Sequence, residues 1–230
     1  MPDACLSDPC SLFPDPCLYT ISVDVARRLI VSILLLIGAI PGCAQNTPRL
    51  VCFGDSITAG YGLQEGQSYC DELEGRLSRG GYHYKVLNRG TSGATTKDAV
   101  ADLPAILKLQ PDVVIVEFGG NDGLRGLPTD QTRRNLDKII ATLEAAHAKV
   151  LLAGITLPPN YGADYIRAFD ATFRDLAAKY RTAFVPMIYK DLVNVPGTIQ
   201  PDGIHPTAKG SEIIATTLWP QLKPLLTKSR

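Results

Sequence analysis

The residues with the clearest potential for chemistry are a serine and a histidine that lie far apart in the chain. Ser56 ends the sequence Gly-Asp-Ser directly after an apolar segment, and Asp202 precedes His205 by three residues. A carboxylate at that spacing can reach the Nδ1–H of the imidazole, which fixes the tautomer and leaves Nε2 to accept a proton. Because a serine hydroxyl is a weak nucleophile at neutral pH, it needs such a base. Ser56, His205 and Asp202 could therefore act as nucleophile, general base and orienting carboxylate in acyl transfer.

Two further motifs offer hydrogen-bond donors for the oxyanion that such a reaction creates. Residues 88–93, Asn-Arg-Gly-Thr-Ser-Gly, contain glycines that permit a positive φ and can leave the backbone N–H of Gly93 free. In the sequence Gly-Gly-Asn-Asp-Gly, the side-chain amide of Asn121 is a second donor, and the backbone N–H of Ser56 is a third. Taken singly, a turn or a helix N-cap explains each motif. Their occurrence together favours a catalytic site.

Strands that alternate with helices must position these motifs. Continuous apolar runs predict five strands, at 50–53, 85–87, 113–118, 150–155 and 183–185. The third and fourth runs do not alternate with polar residues, which indicates a parallel sheet that helices cover on both faces. Such sheets bind ligands at the carboxyl ends of their strands. The sequence therefore predicts a three-layer α/β/α architecture with the polar motifs along one edge of the sheet.

The first 44 residues differ from the rest, and we interpret them as an N-terminal extension and export signal followed by one domain at 45–230. Two arginines precede an apolar run at 29–40 and a stretch of small residues that ends at Ala44. The apolar run is too short to cross a bilayer as a helix. We therefore expect no stable transmembrane span after processing, and a periplasmic or secreted location.

Two features of this N-terminal region stay open. Cleavage after Ala44 would release a soluble protein, which we favour, whereas cleavage before Cys43 would leave a lipoprotein anchored through that cysteine. The residues that precede the two arginines are unusual for a signal peptide. A start codon near Val23 or Val25 would explain them.

Composition narrows the classes of partner and cofactor. The formal net charge is zero, with 23 basic and 23 acidic side chains, which disfavours a nucleic-acid partner. Four of the six cysteines precede residue 45, and the two that remain, Cys52 and Cys70, are too few for a metal site. Export would allow these two to form a disulfide, but reduced core cysteines agree with the sequence as well. We expect neither a metal nor an organic cofactor.

In these motifs the sequence resembles the SGNH, or GDSL, hydrolase superfamily. The four blocks of that superfamily match at 54–56, 93, 120–122 and 202–205. Eight residues from Gly119 and six from Leu157 are similar to its bacterial periplasmic thioesterase I, lysophospholipase L1 and arylesterase branch. The resemblance extends from residue 49 to about residue 225. It implies a flavodoxin-like fold with a five-stranded parallel sheet, and it assigns the triad and the oxyanion donors described above.

The resemblance also implies a serine esterase or thioesterase that works through an acyl-enzyme. Its small-molecule substrates would be acyl-CoA, aryl or alkyl esters and lysophospholipids, and we expect a monomer. Five residues are candidates for substrate binding, although ordinary loop packing would explain their positions as well: Asp55, Leu124, Leu127, Pro158 and Tyr161.

Other functions are compatible with parts of the pattern. A carbohydrate O-deacetylase could use the same triad on the same fold. A non-catalytic binding protein of the cell envelope or a flavodoxin-like nucleotide binder is disfavoured, because binding alone does not need an oriented histidine. The chain also has no Walker A or Gly-x-Gly-x-x-Gly sequence to cradle a phosphate.

Overall fold

Five parallel strands form one sheet in the computed structural model, which describes residues 47–228. The strands are β1 (Arg49–Gly54), β2 (Lys85–Gly90), β3 (Val113–Glu117), β4 (Lys149–Ala153) and β5 (Ala183–Val185). Their order in the sheet is β2-β1-β3-β4-β5, and every neighbouring pair is parallel. The predicted five-stranded parallel sheet is confirmed. The predictions about the start codon, the export signal and Cys43 lie outside the described residues.

β2 is three residues longer than its apolar pattern predicts. Asn88, Arg89 and Gly90 pair with residues 52–54 of β1, although these three residues are exposed or half-buried. β2 is an edge strand, so its last residues are held by backbone hydrogen bonds rather than by side-chain burial. An apolar pattern cannot show that kind of pairing.

The helices form a layer on each face of the sheet. The described chain contains α1 (Ser56–Ala59), α2 (Tyr69–Arg79), α3 (Thr96–Lys108), α4 (Gly120–Leu124), α5 (Thr129–Ala145), α6 (Ala163–Tyr180) and α7 (Ala208–Leu222). Helices α3, α5 and α6 pack on one face, and α2 and α7 pack on the other. Val114 and Val116 of β3 face the first layer, whereas Val113 and Ile115 face the second. No helix in this part of the chain has the length and apolar character that crossing a lipid bilayer requires.

A disulfide joins the central strand β1 to α2. It links Cys52 and Cys70, whose Cα atoms are 6.4 Å apart, and both residues are buried. Of the two alternatives that the sequence leaves open, the structure therefore has the disulfide. The bond attaches the helix that begins shortly after α1 to the strand that ends just before Ser56.

The strand order explains where the polar motifs meet. From β1 the chain continues to β2, toward one edge of the sheet. From β3 it continues to β4, toward the opposite edge. The connections after β1 and β3 therefore diverge and open a crevice at the carboxyl ends of these strands. Ser56 follows β1 and Asn121 follows β3, and each lies in a short helix at this crevice.

Candidate active site

Ser56, His205 and Asp202 lie together at the carboxyl ends of the central strands. The Oγ of Ser56 is 2.9 Å from the Nε2 of His205. The Nδ1 of the same imidazole is 2.7 Å from the Oδ2 of Asp202. Both are hydrogen-bond distances. With the carboxylate ionised, Nδ1 keeps the proton and donates a hydrogen bond to the carboxylate. Nε2 is then unprotonated and accepts a hydrogen bond from the serine hydroxyl.

Asp202 is held by the backbone of its own loop. Its Oδ1 accepts the N–H of Ile204 at 2.9 Å and the N–H of His205 at 3.0 Å. The bond from Ile204, followed by those from the side chain and backbone of His205, lowers the pKa of Asp202 to about 2. The carboxylate is therefore ionised throughout the neutral range, although its side chain is 38% exposed.

The loop that carries His205 is tied to the turn after α1 through Gln200. The backbone N–H of Gln200 donates to the carbonyl of His205 at 2.8 Å. Its side-chain Nε2 donates to the carbonyls of Tyr61 at 2.7 Å and Pro206 at 2.9 Å. The ring of Tyr61 lies against the imidazole, with 4.6 Å between the centroids. These contacts hold the imidazole in place relative to Ser56.

Ser56 begins α1 at a point where the backbone is tightly packed. Asp55 caps this short helix, because its Oδ1 accepts the N–H of Ile57 at 3.0 Å. A Cβ at Gly54 would lie 1.9 Å from the hydroxyl oxygen of Thr58, so a larger residue would displace the start of the helix. The Gly-Asp-Ser motif is therefore a helix cap and also places the Ser56 hydroxyl beside its base.

The backbone N–H groups of Ser56 and Gly93 have no acceptor within residues 47–228. Gly93 has a φ of 79°, in the left-handed region that favours glycine. Its carbonyl accepts a hydrogen bond from Nη2 of Arg125 at 2.8 Å, which holds the orientation of this loop. Both residues line the same cavity as His205. Their N–H groups are available to a ligand atom in that cavity.

The side-chain amide of Asn121 lines the same cavity but already has two protein acceptors. Its Nδ2 donates to Oδ2 of Asp55 at 3.1 Å and to the carbonyl of Ala94 at 3.0 Å. Because both neighbours are acceptors, the nitrogen end of the amide must face them. Both N–H bonds are in use, so an oxyanion in the cavity would have to share or replace one of these acceptors. The sequence gives no indication of this arrangement.

Ser56 and His205 lie in the wall of a cavity of about 210 Å³. Its larger apolar and aromatic wall residues are Ile57, Tyr61, Leu124, Ile155, Tyr189 and Ile204. Leu124 and Asp55 are the two candidate substrate-binding residues that belong to this wall. Asp55 is only 2% exposed, however, and both of its carboxylate oxygens accept hydrogen bonds from the protein. A largely apolar cavity beside a serine hydroxyl suits an uncharged acyl group.

The other three candidates for substrate binding, Leu127, Pro158 and Tyr161, are not among the residues that form this wall. The hydroxyl of Tyr161 donates to the carbonyl of Leu124 at 2.9 Å. The hydroxyl of Tyr165 donates to the carbonyl of Leu127 at 2.6 Å, and Pro158 is exposed. The hydroxyls of Tyr161 and Tyr165 therefore hold the end of α4 and the chain after it, and no such contact is made by Pro158 in the described part of the chain.

Four wall residues lie outside the motifs predicted from the sequence: Ile57, Tyr61, Ile155 and Tyr189. Ile155 and Tyr189 follow the ends of β4 and β5. Because parallel sheets bind ligands at the carboxyl ends of their strands, these positions could have identified both residues. The hydroxyl of Tyr189 donates to the carbonyl of Ile204 at 2.9 Å, which connects it to the loop of the histidine. Tyr61 follows α1 in a turn with no periodic pattern and had no such signal.

A buried pair of carboxyl groups lies next to Ser56 and was also missed. Glu117, the last residue of β3, is 1% exposed, and Asp55 is 2% exposed. Burial raises the pKa of Asp55 to about 6. Burial, together with the negative charge of Asp55, raises the pKa of Glu117 well above its usual range. The signal that could have identified the pair is a glutamate at the end of an otherwise apolar strand.

Known proteins share both the motifs and the fold. The sequence profile of the GDSL-like Lipase/Acylhydrolase family matches residues 52–213. Esterase TesA of Pseudomonas aeruginosa is 44% identical over 178 residues, which cover 77% of this chain and 89% of that protein. Thioesterase 1/protease 1/lysophospholipase L1 of Escherichia coli (strain K12) is 38% identical over 184 residues, which cover 80% of this chain and 87% of that protein.

A solved structure agrees with these sequence matches. The crystal structure of TesA superposes with a TM-score of 0.75 at 44% sequence identity, and the match covers 77% of this chain and 99% of that one. The resemblance first noticed in four short motifs is thereby confirmed over most of the described residues. The chain belongs to the GDSL-like lipase/acylhydrolase family, whose members are also called SGNH hydrolases.

Proposed function

We propose that Ser56, His205 and Asp202 catalyse the hydrolysis of carboxylic esters and thioesters through an acyl-enzyme. The observation that carries this proposal is the continuous pair of hydrogen bonds from the serine through the histidine to the aspartate. The relatives described above are named as an esterase and as a thioesterase, which supports the reaction class.

The first step is attack of the serine on the substrate carbonyl. As Ser56 Oγ forms a bond to the carbonyl carbon, its proton passes to Nε2 of His205 across the 2.9 Å hydrogen bond. The imidazole becomes positively charged, and the carboxylate of Asp202 stabilises that charge from 2.7 Å. The carbonyl π electrons move to oxygen, which gives a tetrahedral oxyanion.

The oxyanion needs donors that are in place before the reaction. The free N–H groups of Ser56 and Gly93 are two such donors, and each contributes about 3 to 4 kcal/mol if it behaves as oxyanion donors usually do. We assign the third donor to the amide of Asn121, which must then share one N–H between the oxyanion and its present acceptor, Asp55 or Ala94.

The acyl-enzyme forms and is hydrolysed by the same residues. The imidazolium of His205 gives its proton to the leaving alcohol or thiol, the carbon–oxygen or carbon–sulfur bond breaks, and the acyl group stays on Ser56. A water molecule then gives a proton to Nε2 and attacks the acyl carbon. Collapse of the second tetrahedral intermediate returns the proton to the serine oxygen and releases a carboxylic acid.

We propose that the acyl group is apolar and longer than acetyl. The support is the cavity wall, where Ile57, Leu124 and Ile155 lie near the nucleophile. Acyl-CoA and lysophospholipids are the natural classes to test, because the Escherichia coli relative is named as a thioesterase and a lysophospholipase. The carbohydrate O-deacetylase is the second candidate, and it is less favoured because the relatives that are 44% and 38% identical are named as an esterase and as a thioesterase and lysophospholipase.

We also propose that the protein is exported. The support is the basic pair and the apolar run at 29–40, which lie outside the described residues. A disulfide between Cys52 and Cys70 is consistent with an oxidising compartment.

The test is hydrolysis of p-nitrophenyl esters and acyl-CoAs over a range of chain lengths, with wild type, Ser56→Ala and Ser92→Ala. Ser92 is a matched control, because it lines the same cavity but is not part of the triad. We expect Ser56→Ala to reduce kcat to background and Ser92→Ala to stay close to wild type. Full activity in Ser56→Ala would contradict the proposal. Turnover of acetylated sugars alone would favour the deacetylase instead.

A further inference from the structure

The structure places two carboxyl groups together in the interior beside the nucleophile. In the register of the sheet, Gly54 pairs with Glu117, so the residue after Gly54 lies against the end of β3. The backbone N–H of Asp55 donates to the carbonyl of Glu117 at 3.2 Å, which brings the two residues side by side. Both side chains are almost completely buried.

No permanent positive charge balances this pair. Within residues 47–228, neither carboxyl group forms an ion pair with a lysine or an arginine. The ionisable groups that face the pair are Tyr69 from α2, Tyr189 from the loop after β5, and His205 from the loop before α7. Of these, only His205 can become positive, and it does so only when it accepts a proton. Two adjacent carboxylates cannot both be ionised in such surroundings, so the pair must hold a proton.

The hydrogen-bond pattern shows which carboxyl group carries that proton. Both oxygens of Asp55 accept N–H bonds, one from Ile57 and one from Asn121, as an ionised carboxylate does. Glu117 differs, because only its Oε2 accepts a hydrogen bond, from the hydroxyl of Thr58 at 2.8 Å, and no N–H or O–H group of residues 47–228 donates to its other oxygen. A neutral acid has one acceptor oxygen and one hydroxyl donor. Glu117 is therefore the protonated partner, and its hydroxyl donates to Asp55.

The pair is connected to the oxyanion site through Asn121. The ionised Oδ2 of Asp55 accepts from Nδ2 of Asn121 at 3.1 Å. An ionised oxygen attracts the nitrogen end of an amide and repels its oxygen end, so Asp55 sets the direction of the amide. Without the proton on Glu117, the buried charge of Asp55 would lie against a second negative charge, and this contact would not be stable.

We propose that Glu117 is a positioning residue. Its neutral carboxylic acid holds Asp55 in place as a carboxylate, and Asp55 in turn fixes the Asn121 amide in the orientation from which one N–H can be shared with the oxyanion. The proposal deepens the function proposed above and rests on it. The amide would act on the transition state rather than on substrate binding, so a defect at Glu117 should lower kcat and leave KM almost unchanged.

Two substitutions test whether residue 117 must donate a hydrogen bond to Asp55. Glu117→Gln keeps one acceptor for Thr58 and one donor for Asp55, so we expect kcat within about twofold of wild type. Glu117→Leu has a similar volume but no donor, and we expect kcat to fall roughly 10- to 100-fold, because an oxyanion donor is misplaced. Thermal unfolding followed by circular dichroism shows whether each variant is folded. A loss with Glu117→Gln as large as with Glu117→Leu would overturn the proposal.

A double-mutant cycle distinguishes positioning from a general structural role. In an Asn121→Ala background there is no amide left to position, so Glu117→Leu should have little further effect on kcat. If the full loss persists in that background, Glu117 does not act through Asn121 and the proposal is wrong.

A third measurement does not depend on activity. The infrared spectrum of the wild type at neutral pH should contain the absorption of a protonated carboxyl group, and Glu117→Gln should lack it. Absence of this band from the wild type would overturn the proposal, even if Glu117→Leu fails to fold. Failure of the proposed function is distinguishable, because it would appear as esterase activity that Ser56→Ala does not remove.

Discussion

Replacing Asp202 by alanine should reduce activity much less than removing the nucleophile. The carboxylate stabilises the imidazolium through a 2.7 Å hydrogen bond, but its side chain is 38% exposed. A charge pair about 4 Å apart is stabilised by about 1 kcal/mol in water and about 4 kcal/mol near a protein surface. These limits correspond to a loss in kcat of roughly 5- to 1000-fold. Loss of a serine nucleophile costs roughly 10⁶-fold.

Replacing Asp202 by asparagine should be more harmful than replacing it by alanine. The two backbone N–H groups that donate to Oδ1 would bind the oxygen of the new amide, so its nitrogen would face Nδ1 of His205. That nitrogen is a donor, and it would stabilise the tautomer with the proton on Nε2, which cannot accept the proton of Ser56. One neutral hydrogen bond contributes about 1 kcal/mol, so we expect a further loss of roughly fivefold.

The assay is steady-state hydrolysis of one p-nitrophenyl ester by wild type, Ser56→Ala, Asp202→Ala and Asp202→Asn. Thermal unfolding of each variant shows that the fold is retained. The expected order of kcat is wild type, then alanine at 202, then asparagine at 202, then Ser56→Ala. Equal losses in Asp202→Ala and Ser56→Ala would refute the electrostatic argument. An asparagine variant more active than the alanine variant would refute the tautomer argument.

Two predictions concern stability. The Cys52–Cys70 disulfide links residues that are 18 positions apart, so its reduction should lower the free energy of unfolding by about 3 kcal/mol. Urea denaturation with and without reductant measures this, and an unchanged midpoint would contradict it. Gly119→Ala should destabilise the protein by about 2 kcal/mol or more, because φ is 115° and the new Cβ would lie 2.9 Å from the Phe173 ring. Gly126→Ala is the control, with φ 64° and open space around the Cβ, and a loss there as large as at 119 would show that the ring contact is unimportant.

The parts of the fold that the sequence predicts are those with a simple physical pattern. β3 is buried on both faces, and a continuous apolar run is sufficient evidence for such a strand. The triad was also predictable, because Asp202 lies three residues before His205 and the bond between them is local in the chain. The contact of His205 with Ser56 needed the fold as well, since the two residues come from opposite ends of the domain.

The features that were not predicted depend on contacts between distant segments. Glu117 looks like the polar end of a strand in the sequence, and it shares a proton only because the sheet register places it beside Asp55. Tyr161 belongs to a motif similar to known enzymes, but its hydroxyl bonds to the carbonyl of Leu124 and it does not belong to the cavity wall. The direction in which a loop side chain turns is decided by such single hydrogen bonds, which no residue pattern encodes.

The nucleophile and its base are held in place by different kinds of contact. Ser56 is anchored at the end of a central strand. His205 instead lies in a loop held by individual contacts, namely an isolated bridge at Ile199, the bonds of Gln200 and the bond from the Tyr189 hydroxyl. A loop held by individual contacts rather than by a strand ladder opens at a lower free energy than the sheet. Activity therefore requires this loop to be closed. We expect activity to be lost under denaturing conditions in which the sheet is still folded.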